Sequence, residues 1–237
     1  MIVAIETSTT FASAAAVKDG KLLAEACVFV PQGHCENLLP MLEALLSGAG
    51  LELAHARAFA ISLGPGSFTA LRIGLSTAKA LALASGKPLV GVGTLDAVAF
   101  NAAGLCSHVC PIIDAKRGEV FYSLFRDEDG GQERLLEYGA ERPDDAVALL
   151  SSFMASAPEG KVIFLGDGVE ACRKSIEGQF GGRAIFAPAH LGTPRASAVG
   201  MLALKILERK GCGADDVAGV EPIYVRRSDA EIRRKRP

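Results

Sequence analysis

Apolar positions along this chain form short runs separated by turn residues, which predicts strands alternating with amphipathic helices. One run predicts a strand over Ile2–Glu6, and two more strands, Phe11–Val17 and Leu22–Val30, flank the hairpin signal Asp19-Gly20. Leucines spaced three and four apart predict a helix over His34–Leu46. The first half closes with a predicted strand, helix, strand and helix: Ala58–Leu63, Ser67–Ser85, Pro88–Gly93 and Thr94–Ala103.

The second half repeats this order of elements. They are predicted at Val109–Asp114, Glu119–Phe125, Gln132–Tyr138, Pro143–Met154, Lys161–Leu165, Val169–Phe180, Arg183–Ala187 and Thr193–Arg209. Two copies of βββαβαβα at a period of about 105 residues predict a duplicated α/β protein with mixed five-stranded sheets. The predicted domains are 1–104 and 105–237, and the second includes the C-terminal helix and tail. This order matches the ribonuclease-H-like halves of the actin/hexokinase/Hsp70 ATPase superfamily.

A glycine-proline turn, Gly64-Pro65-Gly66, precedes the long helix, with Ser67 as its expected N-cap. Two glycines allow close approach, either by a phosphate at the helix N-terminus or by a facing protein. The turn lacks the lysine of a Walker loop, and Thr69 replaces the third glycine of G-x-G-x-x-G. Small residues spaced by four on this helix predict packing either on its own sheet or on another chain: Ala70, Gly74, Ala78 and Ala82.

Carboxylates follow the first strand of each half, where members of the superfamily hold nucleotide phosphates. Glu6-Thr7-Ser8 and Asp114-Ala115-Lys116 occupy these places, but no glycine follows either acid by two. They are either vestigial nucleotide contacts, together with Gly64 and Gly66, or simply polar strand ends. Gly166-Asp167-Gly168 either faces an adenosine or only turns the chain into the next helix.

Composition narrows the function classes. The chain has 49% hydrophobic and 22% charged residues with net charge −2, too little positive charge for a stand-alone nucleic-acid binder. No apolar run reaches the ~18 residues of a membrane span, and the apolar start has no basic leader. The six cysteines form no C-x-x-C pair, which favours reduced structural thiols. These features predict a soluble cytoplasmic protein.

Motifs for several enzyme classes are missing. No H-E-x-x-H pair and no G-x-S-x-G elbow occur, which excludes zincins and serine hydrolases of the α/β class. His34, next to Cys35 and Glu36, is predicted as a surface or capping residue rather than part of a site. Arg226-Arg227 and Arg233–Arg236 form a basic tail that is either solvated or contacts phosphate.

Several blocks of the sequence resemble the TsaB (YeaZ) family, and together they span nearly the whole chain. The blocks are MIVAIETST from Met1, HCENLLP from His34, GPGSFTALRIG from Gly64, DAKRGEV from Asp114 and PIYVR from Pro222. The family usually has aspartate where this chain has Glu6. The resemblance implies a relative of TsaD, which makes N6-threonylcarbamoyladenosine beside the tRNA anticodon.

Metal chemistry is not expected from this resemblance. In TsaD an H-x-x-x-H pair binds the metal, whereas Thr94 and Val98 stand at the matching places here. Neither side chain replaces an imidazole ligand, and Asp96 alone cannot hold a catalytic metal. The expectation is therefore a non-catalytic subunit with no cofactor of its own.

The resemblance implies partners instead. These are a TsaD-like catalytic subunit, a TsaE-like ATPase, a second copy of the chain in isolation, and tRNA only through the complex. The implied partner surface lies on the two helices of the first domain, at Glu36, Leu38, Leu42, Leu45, Phe68, Leu71, Arg72, Leu75, Ala78 and Ala82. Two alternatives remain, an ATP-dependent kinase-like enzyme and a glycoprotease-type metallopeptidase.

Overall fold

The computed structural model describes residues 1–31, 33–128, 131–155, 160–210 and 217–226. The side chains of His34 and Cys35, Cys212, and the tail from Arg227 to Arg236 lie outside this description, as do the predictions made for them. Within the described residues, no helix is long and apolar enough to cross a membrane.

The first sheet has the strand order β3-β2-β1-β4-β5, and β1 pairs antiparallel with β2 and parallel with β4. Its strands are β1 (Ile2–Glu6), β2 (Phe11–Lys18), β3 (Lys21–Phe29), β4 (Ala58–Ser62) and β5 (Leu89–Val92). Its helices are α1 (His34–Gly48), α2 (Phe68–Ser85) and α3 (Thr94–Phe100), so α3 ends three residues before the predicted end. The predicted order of elements is confirmed for this half.

Helices α1 and α2 cover one face of this sheet. Val3 and Ile5 of β1 pack in one buried cluster with Leu38 and Leu42 of α1 and Leu75 of α2. The small-residue strip of α2 is buried with them, at Ala70, Gly74, Ala78 and Ala82. Of the two interpretations left open for that strip, the structure supports packing on its own sheet.

The second sheet repeats the topology with the order β10-β9-β6-β7-β8. Its elements are β6 (His108–Lys116), β7 (Glu119–Glu128), β8 (Gly131–Glu141), α4 (Pro143–Ala155), β9 (Val162–Leu165), α5 (Val169–Phe180) and β10 (Ala184–Phe186). Leu150 of α4 and Ile176 of α5 pack against Phe164 of β9 in its core. The duplicated architecture is thus present in strand order as well as in element order.

The last helix, α6 (Ala196–Lys210), packs on the first sheet. Gly200 permits this close packing, because a Cβ there would lie 2.8 Å from Val17 Cγ2. At its N-terminus, the Ala196 amide donates to Ser13 Oγ at 2.8 Å and the Ser197 amide to Glu25 Oε1 at 2.9 Å. Strand residues far away in sequence therefore accept the free amides of the first turn of α6.

The chain accordingly divides differently from the predicted boundary at residue 104. One compact unit consists of Met1–Ala97 with the described part of Pro194–Ile223, and the other of Val98–Thr193 with 224–226. The C-terminal helix, assigned from its position in the sequence to the second domain, thus belongs with the first sheet. The physical reason is the docking of α6 on β1 and β2 and its capping by Ser13 and Glu25.

The extended C-terminal segment, whose docking the sequence does not indicate, runs over the glycine-proline turn. The Ile223 amide donates to Leu63 O at 2.7 Å, and Val220 is buried in the core of the first unit. Gly64, at φ +114°, lies so close that a Cβ would be 2.6 Å from Ile223 O. Glycine is therefore required at position 64 for both its backbone angle and its contact. In the second unit, Arg226 Nη1 donates to Glu119 Oε2 at 2.5 Å.

Candidate functional site

The turn that follows β1 packs against the glycine-proline turn. The Ser67 amide donates to Ser8 O at 2.7 Å, and a Cβ at Gly66 would lie 2.8 Å from Ser8 Cβ. Ser67 occupies the N-cap position of α2, but its side chain makes no capping hydrogen bond, which corrects that expectation. A backbone carbonyl, rather than an anion, thus takes the Ser67 amide at the start of α2.

Glu6 is fully buried at the carboxyl end of β1. Its Oε1 accepts the Ser8 amide at 2.7 Å and the Ser62 hydroxyl at 2.9 Å. Burial raises the pKa of this carboxyl, and the hydrogen bonds from Ser8 and Ser62 oppose the rise only in part. Oε2 of Glu6 and Oγ of Ser8 are also buried and have no hydrogen-bond partner. The Glu6 carboxyl is therefore enclosed within the first unit.

Thr7 is also buried, between β1 and α2. Its Oγ1 donates to Ala70 O at 2.9 Å, within the first turn of α2. It also lies against Gly74, where any Cβ would overlap Thr7 Oγ1 and approach Ile61 Cδ1 to 3.2 Å. Of the predicted phosphate contacts in this unit, Glu6, Thr7, Ser8 and Gly64 are all buried.

Asp114 lies at the end of β6 and is engaged by a lysine. Its Oδ2 accepts from Lys116 Nζ and its Oδ1 from the Lys116 amide, each at 2.7 Å. Partial burial acts to raise the pKa of Asp114, but these two hydrogen bonds outweigh it and the pKa is lowered. Asp114 and Lys116 thus form a solvent-exposed ion pair at the end of β6.

The turn Gly166-Asp167-Gly168 packs on the same strand. Asp167 Oδ1 accepts the Asp114 amide at 2.8 Å, and the Gly168 amide donates to Ile112 O at 3.1 Å. A Cβ at Gly166 would overlap the Ile112 carbonyl, so these glycines are explained by close backbone packing. The structure therefore supports the interpretation of this segment as a turn into α5.

Most of the predicted partner-facing residues are buried within the first unit. Six of them lie at 7% exposure or less: Leu38, Leu42, Leu71, Leu75, Ala78 and Ala82. Leu45 and Phe68 are half-buried, while Glu36 and Arg72 are exposed. The guanidinium of Arg72 stacks over the Phe68 ring at 3.8 Å. These six, which the resemblance implied as partner contacts, are core residues, because the apolar stripe of each helix faces the sheet.

Other residues of the same helices form the outward surface. Leu39 of α1 is 50% exposed and Leu83 of α2 is 68% exposed. A cavity of about 440 Å³ lies beside Leu39, and it is also lined by Glu43 and Leu46 of α1 and by Leu51, Leu53 and Leu81. We call Leu39, Glu43, Leu81 and Leu83 with this cavity the α1–α2 surface.

The residues that replace the metal-binding pair of TsaD do not fit a metal. Thr94 and Val98 are both fully buried, and the Thr94 amide donates to Gly64 O at 2.8 Å. Within the described ranges, no group of three histidine, cysteine, aspartate or glutamate side chains could hold a metal ion. No step of the chemistry is therefore assigned to a metal on this chain.

Comparison with known proteins connects this architecture to tRNA modification enzymes. The family model "TsaD: tRNA N6-adenosine threonylcarbamoyltransferase" matches residues 29–234. The Bacillus subtilis protein named tRNA threonylcarbamoyladenosine biosynthesis protein TsaB is 28% identical over 98% of this chain and 96% of its own length.

Solved structures agree with this relationship. YeaZ from Pseudomonas aeruginosa superposes with a TM-score of 0.76 at 25% identity, covering 94% of this chain and 98% of its own. Component A of the (R)-2-hydroxyglutaryl-CoA dehydratase from Acidaminococcus fermentans, at a TM-score of 0.54 and 10% identity over 87% of this chain and 98% of its own, shares the fold alone. The predicted actin-like ATPase fold is confirmed. The chain belongs to the TsaD family of tRNA N6-adenosine threonylcarbamoyltransferases and, within it, is of the TsaB (YeaZ) type.

Proposed function

We propose that this chain is a non-catalytic subunit in the synthesis of threonylcarbamoyladenosine on tRNA, and that it binds a TsaD-like catalytic subunit. Its relatives by name and structure support the role in this modification. Two observations support the non-catalytic assignment. Thr94 and Val98, at the positions compared with the metal-binding pair, are buried, and Asp114 is paired with Lys116.

The observation that carries the proposal is the α1–α2 surface. Apolar side chains at 50% and 68% exposure on two adjacent helices, the first of them lining an apolar cavity, are expected where a partner removes them from water. Exposed charges lie on the same two helices, Glu36 on α1 and Arg72 on α2. The same surface serves self-association when the partner is absent, so the free chain forms a homodimer that the catalytic subunit displaces.

The complex also includes a TsaE-like ATPase, contacts tRNA through its other subunits and acts in the cytoplasm. Reconstitution tests the proposal: the catalytic subunit, the ATPase, threonylcarbamoyl-adenylate and tRNA are combined with and without this chain. We expect modified tRNA to form only, or much faster, when this chain is present, and the chain alone to modify none. Equal rates with and without it would refute the proposal.

Binding and phosphoryl transfer from ATP test the kinase-like alternative in the same preparation. We expect the isolated chain to produce no ADP, because the carboxylates at both phosphate positions are engaged by the protein's own groups. ADP production that is lost in an Asp114→Asn variant would favour the alternative.

A further inference from the structure

The turn between β1 and β2 stands where members of this superfamily hold phosphate, yet it contacts α2 instead. Two hydrogen bonds join them: Ser67 N to Ser8 O at 2.7 Å and Thr7 Oγ1 to Ala70 O at 2.9 Å. In the first bond α2 donates its Ser67 amide, and in the second it accepts at Ala70 O, so together they fix where α2 begins relative to the end of β1.

A steric contact fixes the same position from the other side. Gly74 lies one turn beyond Ala70, and its Cα faces Thr7 so closely that no side chain fits between them. Thr7 is therefore held between a carbonyl that it binds and a glycine that it touches. Moving α2 by one residue along its axis is a shift of about 1.5 Å and a rotation of about 100°, and it would break both contacts.

Rotation of α2 changes what it presents outward. Leu83 and Arg72 are exposed only because Ala78, Ala82 and the other sheet-facing residues of the helix are buried. The polar groups of Thr7 lie beneath this helix and do not reach its outer face, since Thr7 is 0% exposed. Any effect of Thr7 on a partner must therefore pass through the position of α2.

We propose that Thr7 is a positioning residue for partner binding, which sets the register of α2 on β1 and thereby the geometry of the α1–α2 surface. The predicted effect on partner binding rests on the proposed function. The contact between Thr7 and Gly74 lies within the first unit and does not depend on a partner. The loop that the fold would use for phosphate thus holds a recognition helix in this chain.

The test uses four variants of the full chain and two measurements. Thr7→Ser keeps the hydroxyl, Thr7→Val removes it at similar size, Gly74→Ala adds the excluded Cβ, and Thr7→Ala/Gly74→Ala removes the atom that this Cβ would meet. Ile2→Ala is the control, because it creates a cavity at the opposite end of β1, on a residue that is 1% exposed.

The first measurement needs no partner. We expect Gly74→Ala to displace the amide chemical shifts of residues 68–85, and the added Thr7→Ala change to restore at least half of that displacement. Shifts confined to the neighbours of residue 74, or no recovery in the double variant, would overturn the inference whether or not a partner binds.

The second measurement is the affinity for the purified TsaD-like subunit. We expect Thr7→Ser to bind within about twofold of the unaltered chain, and Thr7→Val and Gly74→Ala to bind at least tenfold more weakly. The double variant should recover most of the loss, and Ile2→Ala should bind normally although its melting temperature is lower. Normal binding by Gly74→Ala, or weakening by Ile2→Ala of equal size, would overturn the inference, whereas no binding by the unaltered chain would refute the proposed function.

Discussion

Glu6 is fully buried and hydrogen-bonded to Ser8 and Ser62. The sequence leaves open whether this acid is a vestigial nucleotide contact or simply a polar strand end. Burial raises its pKa above the ordinary value. The folded state therefore binds this proton more tightly than the unfolded state does, and the stabilisation is complete at low pH and lost as the pH rises through the folded pKa.

The Glu6→Gln variant should therefore be more stable than the unaltered chain at pH 7 to 8. The amide oxygen still accepts from Ser8 and Ser62, while the cost of burying a charge is removed. Thermal unfolding across pH 4 to 8 measures this, with Glu52→Gln on the surface as control. A loss of stability in Glu6→Gln that is constant with pH would contradict the account.

His108 gives the second unit the opposite pH dependence. Burial, followed by the nearby Arg126 and Arg183 guanidinium groups, lowers the pKa of this histidine. Arg126 stands directly opposite it on β7, and Ser107 Oγ lies 3.2 Å from its Nδ1. A histidine with a lowered folded pKa favours folding above its unfolded value of about 6.5, and this contribution is lost as the pH falls below it.

Replacing His108 with glutamine should reduce the loss of stability between pH 7 and pH 5. The glutamine cannot acquire the charge that the two arginines repel, so the variant becomes less sensitive to acid even where its packing is poorer. Urea unfolding at several pH values measures the slope, and His55→Gln, at an exposed position, is the control. An unchanged slope in His108→Gln would mean that other groups cause the acid sensitivity.

At the scale of elements, the strands and helices were predictable from the sequence, whereas the surfaces against which they pack were not. Hydrophobic periodicity located α1 and α2. Leu38, Leu42 and Leu75 belong to the regular apolar stripe that marks the side of a helix facing a sheet. Leu39 and Leu83 were not identified, because they lie off that stripe and no local signal distinguishes an exposed apolar side chain from a buried one. The partner surface on these two helices therefore stays a prediction, and six of the residues named for it lie in the core.

Helix α6 illustrates the same limit. Its length and amphipathic pattern are visible in the sequence, but its docking depends on Ser13 and Glu25, which precede it by more than 170 residues. No local pattern links such distant positions. Consequently the order of elements predicted a helix at the end of the second domain, whereas contacts place it on the first sheet.

Ser13→Ala should destabilise the first unit by about 1 kcal/mol, the usual effect of losing a helix N-cap. The buried Ala196 amide would have no acceptor after this change, so the loss should exceed that of an exposed serine. Chemical unfolding measures the difference, with Ser76→Ala on the outer side of α2 as control. Equal stability of the two variants would show that Ser13 does not anchor α6.

At the scale of the whole molecule, duplication explains why the fold class was predictable. Both halves carry the same strand order, and three meandering strands followed by two crossovers admit few sheet arrangements. Function was less constrained, since the same architecture serves ATPases and their relatives. At the positions compared with the enzymes, Glu6 is bonded within its unit, Asp114 is paired with Lys116, and Thr94 is buried.

The central claim is that the α1–α2 surface binds the catalytic subunit, and one titration tests it most directly. The TsaD-like subunit is titrated with the unaltered chain, with Leu83→Asp and with Leu149→Asp. Leu149 lies on α4 of the second unit at 50% exposure, so it matches the change in chemistry on an element other than α1 and α2. Both positions are on the surface, and each variant should keep its stability within about 0.5 kcal/mol.

We expect Leu83→Asp to weaken binding at least tenfold, or by about 1.4 kcal/mol, and Leu149→Asp to leave it unchanged. Equal affinities of the two variants for the catalytic subunit would contradict the account.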